Sequence, residues 1–68
     1  MYTAGAFIPC EINSYIKVPV KPGLHVDVST EGKLEIAVVS AEHSASVVIM
    51  DKLTAKILMN EIKRYVKQ

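Results

Sequence analysis

The sequence predicts an α+β fold: a four-stranded antiparallel β-meander packed on one face by a single C-terminal α-helix, in two layers. Three observations predict it. Apolar and polar side chains alternate with period two through residues 11–20 and again from 24 onward, the mark of half-buried strands. A proline-glycine turn and a glycine-containing loop separate these runs. After residue 51 the apolar spacing changes from two to three and four, which is helical. Over 68 residues there is room for one domain, residues 1–68. It divides into an N-terminal segment (1–10), the meander (11–50) and the helix (51–68).

In the first strand Ile12, Ser14, Ile16, Val18 and Val20 alternate with Glu11, Asn13, Tyr15, Lys17 and Pro19. Pro19 has no N–H to give a ladder, so this strand belongs at a sheet edge or ends there. Lys21, Pro22 and Gly23 form the next turn. In the second strand Leu24, Val26 and Val28 point one way, and His25, Asp27 and Ser29 the other. Ser29 to Lys33 fits a three-residue hairpin loop with glycine at the bulge. Closing there pairs Val28 with Leu34, Val26 with Ile36 and Leu24 with Val38 on one face. A two-residue loop would instead set Val28 against Glu35, and a one-residue slip inverts every side chain.

The third strand covers 34–39, a polar loop 40–44, and a fourth strand 45–50. Asp51 is the natural N-cap of the helix, because its carboxylate can accept the free N–H groups of the first turn. Leu53, Ile57, Leu58, Ile62, Tyr65 and Val66 then form one apolar stripe, and Lys63, Arg64 and Lys67 complement the dipole at the far end. A helix this short is marginal alone in water. Its stripe is therefore expected to lie on the even-numbered face of the first three strands.

Composition narrows the functional classes. Chains of this size bury only about 60% of their unfolded surface, and self-association commonly supplements that. Half the residues are apolar and the net charge is +1, a globular profile. Residues 1–50 carry a balance of −2 and residues 51–68 a balance of +3. A single cysteine, Cys10, allows no internal disulfide, which favours a reducing compartment. Neither a signal-peptide pattern nor a membrane span of roughly 18 apolar residues is evident. The expected location is cytoplasmic.

The fourth strand unbalances the surface. Val47, Val48, Ile49 and Met50 are apolar in either register, so one pair must join Ala37 and Val39 on the outer face. Ala37, Val39, Val47, Val48, Ile49 and Met50 are thus the candidate interface residues. The competing reading is that residues 2–8 fold across the patch and bury it.

Other candidates weigh less. Asp27 faces Glu35 in the predicted register with His25 nearby, a set that could share a proton or a divalent cation but is more commonly a solvated face. Lys52, Lys56, Asn60, Lys63 and Lys67 form a mainly basic helix stripe, able to track phosphates or an acidic partner. A solvated face is again the plainer reading. Cys10 has no basic residue within six positions, and no spacing selects His25 or His43 as its base. Met50 and Met59 read as apolar filler. No phosphate loop or metal-ligand spacing exists, so no enzyme activity, metal or cofactor is expected.

These features lead to a small protein-interaction module, a homodimer, that occupies a surface of a larger partner. Inhibitors and regulators of phages and other mobile elements work in this way. Nucleic-acid binding through the basic helix face is the alternative. A subunit stable only inside an assembly is a minor third reading.

Overall fold

The computed structural model describes residues 5–68. Four strands, β1 (Glu11–Tyr15), β2 (Gly23–Val28), β3 (Leu34–Val39) and β4 (Ala45–Met50), make one antiparallel sheet, followed by α1 (Lys52–Val66). This is the expected α+β fold. The expected hairpin register holds throughout: Val28 pairs with Leu34, Val26 with Ile36 and Leu24 with Val38. The loop closes by Gly32 N–H donating to Ser29 O at 2.9 Å and Ser29 N–H donating to Lys33 O at 2.8 Å. Gly32 takes φ +80°, the left-handed bulge position that glycine occupies without steric cost.

Strand order departs from a simple meander. It runs β1-β4-β3-β2, so β2, β3 and β4 form the meander while β1 lies beside β4. The physical reason is β4 itself. A strand apolar on both sides is most stable with neighbours on both edges and layers over both faces, and insertion between β1 and β3 supplies the neighbours. β1 and β2 take the edges. Pro19 is consistent with that placement, although β1 ends earlier, at Tyr15, and residues 16–22 cross the end of the sheet instead of extending the strand.

That crossing is fastened to the β3–β4 loop. Val18 N–H donates to His43 O at 2.8 Å, and Val20 O accepts from His43 Nδ1 at 3.1 Å. Both Lys17 (φ 57°) and His43 (φ 63°) sit in left-handed backbone, as a chain reversing direction over a short span requires. Val39 and Ala45, at this end of the sheet, are only 4% and 5% exposed.

The pairing sorts side chains into two faces. Ile12, Ser14, Leu24, Val26, Val28, Leu34, Ile36, Val38, Ser46, Val48 and Met50 share one face; Glu11, Asn13, Tyr15, His25, Asp27, Glu35, Ala37, Val39, Ala45, Val47 and Ile49 share the other. The helix lies over the first set, as expected. Asp51 caps it, accepting from Thr54 N–H at 2.8 Å, and this bond is the main cause that lowers the Asp51 carboxyl below its ordinary value of 3.8. The helix is rotated from the expected stripe. Thr54, Ala55, Leu58 and Glu61 are its half-buried positions, whereas Leu53, Tyr65 and Val66 are exposed.

Candidate functional site

Coverage of the helix-side face is incomplete. Met50, where β4 runs into α1, is 5% exposed, yet Leu24, Val26 and Val28 on edge strand β2 are 65%, 60% and 62% exposed. Leu34, Ile36 and Val48, on the central strands, are half-buried. The helix therefore shields the central strands at Leu34, Ile36 and Val48, leaves Val38 54% exposed at their other end, and stops short of β2. Between them opens a cleft of about 500 Å³, lined by Leu24 and Val26 of β2, Leu34 and Ile36 of β3, and Ala55, Leu58, Met59, Ile62 and Lys63 of α1. All but Lys63 are apolar.

One helix flank forms the cleft wall. Ala55, Met59, Ile62 and Val66 recur at spacings of four, three and four, which places them on one side of the helix. Met59 is 43% and Ile62 53% exposed. The opposite flank meets the N-terminal segment: a Cβ built on Gly5 would stand 3.3 Å from Glu61 Oε2. Of residues 2–8, which were the alternative cover for the outer sheet face, 2–4 lie outside the described residues, while Gly5 sits beside the helix.

The interface residues expected from the sequence fall on both faces. The register resolves the choice in β4: Val47 and Ile49 join Ala37 and Val39 on the outer face, and Val48 and Met50 turn toward the helix. Val39 and Met50 are buried, and Ala37, Val47, Val48 and Ile49 are half-buried. The more exposed apolar surface is instead the cleft and its β2 rim, whose residues periodicity alone assigns to the core. A signal was available, since a chain with one helix and four strands cannot cover an entire sheet face with a single stripe.

The free edge of β2 has a defined pattern. Ser29 is hydrogen-bonded to Lys33, and antiparallel ladders alternate. Gly23, His25 and Asp27 therefore turn their backbone groups toward β3, and Leu24, Val26 and Val28 turn theirs outward. The Asp27 carboxylate takes one of these, accepting from Val28 N–H at 2.8 Å. No lysine or proline interrupts the strand, although such residues commonly guard sheet edges.

The remaining candidates keep their places without converging. Asp27 and Glu35 are direct neighbours across β2 and β3. His25 Nε2 donates to Lys21 O at 2.7 Å. Among the described residues no group of three or more His, Cys, Asp or Glu side chains could hold a metal ion. Cys10 is exposed. Lys52, Lys56, Asn60, Lys63 and Lys67 are all exposed along the helix, and among the described residues the one ion pair is Arg64 with Glu61 at 2.9 Å. No helix among the described residues is long and apolar enough to cross a membrane. No protein-family model, curated protein or solved structure matches this chain.

Proposed function

We propose that this chain is a small, non-enzymatic protein-interaction module of the cytoplasm that acts by occupying a partner's surface, in the manner of inhibitors and regulators from phages and other mobile elements. One observation carries the reading: the apolar cleft between α1 and edge strand β2, with its exposed aliphatic rim. The accessible surface is 5776 Å², whereas a compact monomer of this mass exposes about 4,200 Å². The radius of gyration is 13.3 Å against about 11 Å for a compact domain of this length. Exposed apolar side chains gathered at one cleft and its rim are characteristic of interaction sites. The fitting partner is a protein surface that presents aliphatic side chains to the cleft.

Affinity capture with wild-type and Ile62→Glu chains side by side tests the reading. The expected result is a partner, a second copy of this chain included, that wild type recovers and Ile62→Glu loses, while Lys67→Glu retains it. Equal recovery by both Ile62→Glu and wild type overturns it.

Nucleic-acid binding through Lys52, Lys56, Asn60, Lys63 and Lys67 stands as the second reading. Its support is that these lysines have no carboxylate partner among the described residues. Fluorescence anisotropy with duplex DNA and single-stranded RNA decides it. Affinity that falls steeply as salt rises favours this reading, and no binding at low salt removes it.

A further inference from the structure

We propose that two copies of this chain pair through edge strand β2, antiparallel about a two-fold axis at Val26, to make one continuous eight-stranded sheet. This rests on the interaction reading above and names the occupant of the exposed rim as a second copy.

Three observations converge on that arrangement. The outward backbone groups of β2 belong to Leu24, Val26 and Val28, so an antiparallel strand centred on Val26 meets each of them. Val26 bonds Val26 of the second copy, and Leu24 bonds Val28 of the second copy, and the reverse. On the helix side this register sets aliphatic against aliphatic, covering three side chains per copy that are 60–65% exposed in the single chain. It also brings the two clefts together across the axis, with Met59 and Ile62 of each helix walling the joined space.

On the outer face the same register sets His25 opposite Asp27 of the second copy, twice by symmetry. These are non-hydrogen-bonded positions, where side chains approach most closely. Within one chain Asp27 faces Glu35, a like-charge pair that costs stability. A protonated imidazole from the second copy compensates it. His25 is suited to this in its imidazolium form, because Nε2–H is given to Lys21 O and Nδ1–H is then left to donate to the facing carboxylate. Pairing exchanges the Asp27 contact with Val28 N–H for a bond from that N–H to Leu24 O of the second copy.

The single chain exposes roughly 1,500 Å² more than a compact monomer of its mass, of which the β2 rim is one part. A stable interface removes about 800 Å² or more from each partner, so the pairing draws on the joined cleft walls as well as on the strand edge. The other edge offers less: β1 presents only Ile12 as a large apolar side chain on the helix side.

Sedimentation equilibrium of the full chain and four variants tests the pairing. Wild type is expected to be a dimer. Val26→Pro is expected to weaken it by at least about a hundredfold, because proline removes an outward N–H that the single chain does not use. Circular dichroism should show its fold retained. Asp27→Lys is expected to weaken the dimer about tenfold through repulsion at two symmetric pairs, while relieving the contact with Glu35. Adding His25→Glu to Asp27→Lys should restore affinity to within about threefold of wild type by reversing both charges. Should Val26→Pro fail to fold, the charge pair alone decides the register.

A wild-type dimer unaffected by Val26→Pro and by Asp27→Lys overturns the strand pairing. If Ile62→Glu alone dissociates that dimer, the interaction reading survives and the copies meet through the helix instead. A wild-type monomer also overturns the pairing. The interaction reading then stands or falls on whether Ile62→Glu releases a captured partner.

Discussion

Asp51 shows how one side chain sets an element boundary. Its carboxylate accepts Thr54 N–H at the point where β4 ends and α1 begins. Asp51→Ala leaves that N–H without a protein partner, so the thermal midpoint should fall by several degrees, and Asp51→Ser should recover most of the loss. The hydrogen bond lowers the Asp51 carboxyl below 3.8. A depressed acid contributes stability that is complete above the unfolded value and is lost as pH falls through the folded one. Urea titrations of wild type and Asp51→Ala should therefore differ fully at neutral pH and converge only well below pH 3.8. Convergence already near neutrality would show that the cap is not what the substitution removes. Lys17 makes a second test at this scale. Its φ of 57° is costly for a β-branched residue, so Lys17→Val should destabilise by about 1 kcal/mol, read from the urea midpoint.

Among the elements, the β2–β3 hairpin is the most completely specified. Gly32 at φ +80° would place an added Cβ in open space, so only the backbone angle opposes substitution. Gly32→Ala should cost about 1 kcal/mol in chemical denaturation, and Gly32→Asn clearly less, because asparagine tolerates the left-handed region. Equal losses would point to a contact rather than the dihedral. The helix is specified less tightly. Its caps fix where it starts, but its apolar residues extend from Leu53 round to Val66, a wider arc than one sheet face can cover. The chain settles on Thr54, Ala55, Leu58 and Glu61 as the inner positions, and the Met59 and Ile62 flank is left bordering the cleft.

For the molecule as a whole, sparse burial is the governing fact. Among the described residues the buried apolar set is Val39, Ala45 and Met50, small for a domain that must offset the ordering of its chain. Folding coupled to association makes stability depend on concentration. The thermal midpoint should accordingly rise by several degrees between micromolar and near-millimolar protein, measured by calorimetry or circular dichroism. A midpoint independent of concentration would mean the single chain is stable without a second copy.

Local rules were sufficient for much of this protein. Period-two alternation marked the strands, loop parity in Ser29 to Lys33 set the hairpin register, and Asp51 announced the helix, because each depends on neighbours a few residues apart. The double-sided apolar run of 45–50 was also legible as an anomaly. Its explanation was not, since a strand's neighbours are chosen by competition among all pairings of the chain. Only the tertiary structure put β4 between β1 and β3, buried Met50 on the helix side and Val39 on the outer side, and moved the uncovered surface to β2 and one flank of the helix. The reason is geometric: periodicity states which side chains share a face, but how much of a face is covered depends on where the single covering helix comes to rest.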